Sequence, residues 1–102
     1  MANLGRGLRT NGTLKQLHLR YCGITSDGGV YLAEVLANAR TVLEVLNLEG
    51  NRLGGLGLSA ICRGLMVNTV LQTLDLNDNM IDQVRLNFIA KASVPAQYFF
   101  IY

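Results

Sequence analysis

Leucines at the first, fourth and sixth places, an asparagine at the ninth and an isoleucine at the eleventh mark the stretch Leu71, Leu74, Leu76, Asn79, Ile81. The same frame stands upstream as Leu43, Leu46, Leu48, Asn51 and Leu53, and before that as Leu14, Leu17, Leu19, Cys22 and Ile24. The copies begin 29 and then 28 residues apart. This frame constrains the fold more than any other property of the chain. Each unit carries an apolar face that it cannot bury alone, and only stacking on a neighbouring unit buries it.

Within each unit the hydrophobic period changes. Leu17 and Leu19 alternate with Gln16, His18 and Arg20, the pattern of a strand with one face packed and the other in solvent. Val45 to Leu48 and Thr73 to Leu76 repeat it. After the first strand, Thr25, Ser26 and Asp27 are residues that cap helices, and Val30, Leu32, Val35 and Leu36 follow at spacings that suit one buried stripe. This predicts a helix over 26–38. The second unit offers Ala60, Ile61, Leu65 and Met66 for the same purpose, and the third offers Val84, Leu86, Phe88 and Ile89 in a helix from about residue 82 to 91. Gly28 and Gly57 hold the same place in successive units, as close approach of two backbones would require, whereas the third unit has Arg85 there.

The whole chain reads as one domain of 102 residues. Units cover 14–42, 43–70 and 71–93. Residues 1–13 read as the end of an incomplete unit, because Leu4, Leu8 and Asn11 align with Ile61, Leu65 and Asn68. Beyond Pro95, residues 96–102 form a run of aromatic and β-branched character, read here as a capping strand within a tail at 94–102. Left exposed, an uncharged run of this kind is prone to aggregate, so the fold needs to cover it.

A 29-residue unit with cysteine at the ninth place, followed by a 28-residue unit with asparagine there, resembles the ribonuclease-inhibitor type of leucine-rich repeat. The resemblance implies an α/β solenoid: a right-handed β-α superhelix of about three repeats, parallel strands on its concave face and helices outside, in a short or truncated member. Proteins with similar repeats include the sensing regions of NOD-like receptors and the Ran GTPase-activating protein. Most act by binding other proteins.

If the strands stack in register, their outward residues form columns: Gln16, Val45, Thr73; His18, Asn47, Asp75; Arg20, Glu49, Asn77; Tyr21, Gly50, Asp78. Basic and aromatic groups come early in these columns and acidic groups late. His18, Arg20, Tyr21, Asn47, Glu49, Asp75, Asn77 and Asp78 are therefore the candidate partner-binding residues of a non-enzymatic protein-interaction module. Two other readings stand beside this one. The arc could regulate a small GTPase, as the Ran-type resemblance implies, or its ends could stack on other chains as a structural building block, with self-association through uncapped ends.

Other chemistry has little to stand on. Nine basic and seven acidic residues are scattered, with no basic run to track a phosphate backbone, so nucleic acid is not expected as a partner. The glycine-rich loop at 50–57 lacks the lysine and serine or threonine that complete a phosphate-binding loop. His18, the one histidine, lies two strands from Asp75, roughly 10 Å at ordinary strand spacing, which is too far for a base and its orienting carboxylate. Cys22 and Cys62 fall in different elements and read as two buried, reduced thiols rather than a disulfide framework or metal ligands. No cofactor is expected. No stretch of the sequence is apolar for long enough to cross a membrane, and the start has no leader-like apolar core, so the expected location is cytoplasmic.

Overall fold

The computed structural model describes residues 13–82 and 99–101. Strand β1 (Gln16–His18) leads to helix α1 (Ser26–Ala37), β2 (Val45–Asn47), helix α2 (Gly54–Val67), β3 (Thr73–Asp75) and β4 (Phe99–Ile101). The strands form one sheet in the order β1-β2-β3-β4, and every neighbouring pair is parallel. A parallel pair needs a crossover between its strands, and α1 and α2 supply the first two. The expected helix over 82–91, its Arg85 and the incomplete unit at residues 1–12 lie outside the described residues.

The register is the one the leucine frame demands. Leu17 pairs with Leu46 and Leu46 with Leu74, so the fourth-place leucines stack across the sheet. Leu46 and Leu74 are fully buried, and with Leu43, Leu48, Leu71 and Leu76 they meet Leu32, Leu36, Leu58, Ile61 and Leu65 from the helices in one core. Leu14, Leu17 and Leu19 are only partly buried, since β1 has a described strand on one side alone.

The helices follow the predicted stripe with two corrections. In α1 the buried residues are Gly28, Gly29, Leu32, Val35 and Leu36, and Val30 is exposed. Two residues before Leu32 is 200° away on a helix of 3.6 residues per turn, so the two side chains point nearly opposite ways. In α2, Ala60, Ile61 and Leu65 are buried but Met66, one step past Leu65, turns outward. The close approach of glycines is real, and Gly29 is the residue that meets Gly57: a Cβ on Gly29 would lie 3.1 Å from the Gly57 Cα. A second approach was not anticipated. A Cβ on Gly64 would come within 2.7 Å of the Ala33 carbonyl oxygen, so α1 and α2 pack backbone to backbone there.

The loops are closed by asparagine. Asn51 is buried; its Oδ1 accepts from the Cys22 and Ile24 amides at 3.0 Å each, and its Nδ2 donates to the carbonyls of Leu19 and Leu48 at 2.8 Å each. Asn79 does the same one repeat later, accepting from Leu53 at 3.3 Å and donating to Leu48 at 2.7 Å. Each asparagine thus satisfies backbone groups of its own loop and of the loop before it, groups that the crossover leaves without partners. Asn68 plays a related part at the other end: its Nδ2 donates to the Leu36 carbonyl at 2.8 Å, and its Oδ1 accepts from Val70 and Leu71.

Candidate functional site

Outward residues of the strands fall into the expected columns. Gln16 pairs with Val45 and Val45 with Thr73; His18 pairs with Asn47 and Asn47 with Asp75. The fourth strand continues the backbone register, with Phe99 beside Thr73 and Ile101 beside Asp75. The sequence held a signal for this that the leucine frame alone does not carry: Phe99 lies 26 residues after Thr73, close to the 28 that separate Val45 from Thr73.

Two column members use part of their side chain locally. Asn47 Oδ1 accepts from the Glu49 amide at 3.0 Å, and Asp75 Oδ1 accepts from the Asn77 amide at 2.9 Å. Histidine at the equivalent place in the first repeat instead sets Nε2 3.4 Å from Gln16 Oε1. Beyond the strand ends, Arg20 meets Glu49 as their neighbouring places predict: Nε donates to Oε1 at 2.8 Å and Nη2 to the same oxygen at 2.7 Å. Both side chains are partly exposed, so solvent weakens this pair. Asn77 completes that column from the third repeat, with its amide donating to Asp75.

The last column shares a backbone habit. Tyr21, Gly50 and Asp78 all have positive φ, at 51°, 74° and 57°. Each chain turns sharply out of its strand at this point, and two of the three turns are made with side chains that pay a steric cost for it. The Tyr21 ring lies against Gly50, where a Cβ would run into ring atoms Cγ, Cδ1 and Cε1. Glycine at residue 50 is what makes room for the ring. Tyr21 remains 62% exposed, and the Arg20 guanidinium carbon stands 5.8 Å from its ring centroid.

The cysteines correct one expectation. Cys62 is buried, and burial pushes its thiol up to about 11, with Arg63 drawing it slightly back. Cys22 is exposed instead. Its Sγ donates to the Arg20 carbonyl at 3.3 Å and does not reach another strand, because β1 is the first described strand of the stack and cysteine is too short to bridge loops as asparagine does. Among the described residues no three His, Cys, Asp or Glu side chains converge on a point, and no helix is long and apolar enough to cross a membrane.

Parallel strands joined by helices, stacked leucines and asparagine-closed loops define a leucine-rich repeat solenoid, and the comparisons with known proteins agree. The chain matches the family described as Leucine Rich repeat over residues 10–33, 40–62 and 67–83. It belongs to that family, and its repeats are of the ribonuclease-inhibitor type. It is 36% identical over 78 residues to Leucine-rich repeat-containing protein 45 of Gallus gallus, covering 74% of this chain and 12% of the relative. To Ribonuclease inhibitor of Mus musculus it is 39% identical over 54 residues, covering 53% of this chain and 12% of the relative. To NACHT, LRR and PYD domains-containing protein 5 of Homo sapiens it is 36% identical over 80 residues, covering 78% of this chain and 7% of the relative. The matched region is a small part of each of these proteins.

Proposed function

We propose that this chain is a non-enzymatic module that binds a protein partner through its concave face, with His18, Arg20, Tyr21, Asn47, Glu49, Asp75, Asn77 and Asp78 as the contact residues. The observation that carries the reading is the division of labour within each strand. Fourth- and sixth-place leucines of the second and third repeats are buried in the core, so the side chains between them and just beyond point away from it and can change while the leucine stack is kept. They do differ, placing an aromatic and a basic residue at one edge and carboxylates at the other. Relatives support the class: ribonuclease inhibitor is named for its action on another protein. The test is a quantitative pull-down comparing the chain with an Arg20→Glu, Glu49→Lys, Asp75→Lys variant verified as folded by circular dichroism. Loss of partners with the variant supports the concave face, and retention of the same partners overturns it.

A second reading, stacking of copies through the ends, is favoured by an apolar cavity of about 400 Å³ on the β1 side, lined by Leu19, Cys22, Ile24, Gly28 and Tyr31 among others. Light scattering over a wide dilution series tests it. A mass that stays at that of one chain throughout rules it out.

A further inference from the structure

We propose that the Tyr21 ring and the carboxylates of Asp75 and Asp78 form a seat for a cationic side chain, arginine or lysine, of the partner; this rests on the concave-face reading above and names the chemistry it selects.

Three observations lead there. Charges on the face do not cancel evenly. Arg20 is taken up by Glu49, while neither Asp75 nor Asp78 is ion-paired among the described residues, and Asp78 is exposed. One Asp75 oxygen holds the Asn77 amide and the other has no partner there. The third-repeat end of the face is therefore acidic although the chain carries a formal net charge of +2.

The aromatic group is fixed in advance. A left-handed backbone at Tyr21 and the absence of a side chain at Gly50 lay the ring over the second repeat, and Arg20, itself held by Glu49, flanks it. An exposed ring with so little freedom has less entropy to lose on binding than a free surface tyrosine.

The ring covers Gly50, and the Gly50 amide donates to the carbonyl of Asn77, the residue before Asp78, at 2.9 Å, so the ring lies over the turn next to the one that carries Asp78. A cation resting against an aromatic face within about 6 Å of its centroid is attracted by the ring quadrupole, and here it would face carboxylates that have no ion-pair partner among the described residues. Phosphate-bearing partners are disfavoured by the same carboxylates.

A random-peptide library displayed on phage, selected in parallel on the chain and on an Asp75→Asn, Asp78→Asn variant, tests this directly. The expected result is enrichment of arginine and lysine on the chain that disappears on the variant. The most enriched peptide, made synthetically and titrated by calorimetry, is expected to lose on the order of tenfold in affinity with Asp78→Asn and with Tyr21→Ala, and little with Tyr21→Phe or with Arg63→Ala on the outer helix. Its affinity should also fall as salt rises. Peptides without basic enrichment that still depend on Tyr21 overturn the cationic seat and leave the concave-face reading standing. Peptides indifferent to Tyr21 and to both aspartates overturn both. A selection that enriches nothing on the folded chain overturns the seat.

Discussion

Cys22 and Asn51 hold the same place in successive repeats and do opposite things. Asn51 is buried and its side chain joins two loops through backbone groups of residues 19, 22, 24 and 48; the Cys22 thiol is exposed and bonds only within its own turn. The difference lies in what stands beside each residue. Asn51 has β1 on one side and β3 on the other, so its side chain is sealed from water and the polar groups it meets must be paired within the protein. Cys22 turns beside β1, at the edge of the described sheet, where solvent can take that role. A repeat position is thus given its meaning by its neighbours as much as by its residue.

Substitutions at the two positions and in the core beneath them separate these roles. The largest effect is expected in the shared core. Leu46→Ala or Leu74→Ala should cost about 2–5 kcal/mol by opening a cavity between fully buried side chains, measured by chemical denaturation. A loss below about 1 kcal/mol would contradict the stacked register itself. Next, Asn51→Ala should cost about 2–4 kcal/mol, since buried amides and carbonyls lose their partners at roughly 1–3 kcal/mol each where no water enters. Cys22→Ala should lie within about 0.5 kcal/mol of the parent. Equal costs at the two positions would mean that burial between neighbouring repeats does not set the worth of the ninth-place residue.

Gly64→Ala should cost about 1–3 kcal/mol, because the added Cβ meets the backbone of Ala33, which cannot step aside as a flexible side chain can. The thiols offer a probe by pH. Cys62 is raised from 9.0 to about 11 in the folded chain, so the unfolded thiol ionises first: its contribution to stability is intact below about pH 9 and is lost as pH rises toward 11. Denaturation midpoints of the parent should fall over that range more than those of Cys62→Ala, and at neutral pH a thiol reagent should label Cys22 quickly and Cys62 only on unfolding. The smallest effect is expected at Arg20→Ala, about 0–1 kcal/mol and diminishing with salt, because the pair with Glu49 is partly exposed. A larger loss would mean that the ion pair and the Tyr21 ring hold the first turn in place together.

The columns of the concave face were legible in the sequence because parallel strands of equal phase leave a single register that keeps every leucine inside, and the observed pairing of Leu17, Leu46 and Leu74 is that register. The Arg20–Glu49 contact followed from the same columns. Less could be read of Val30 and Met66, which look like core residues by type and sit outward by angle. Gly64 gave no warning, since a lone glycine in a helix has many uses.

From the sequence alone came the repeat length, the leucine frame, the parallel α/β solenoid and the face on which outward side chains line up, all consequences of a local period repeated in register. Tertiary structure alone decided which helix residues face the core, which glycine meets which backbone, that Cys22 is exposed while Asn51 is sealed, and that the Tyr21 ring rests on Gly50. These depend on distances between segments some thirty residues apart in the chain, and no local pattern records how closely two neighbouring repeats approach.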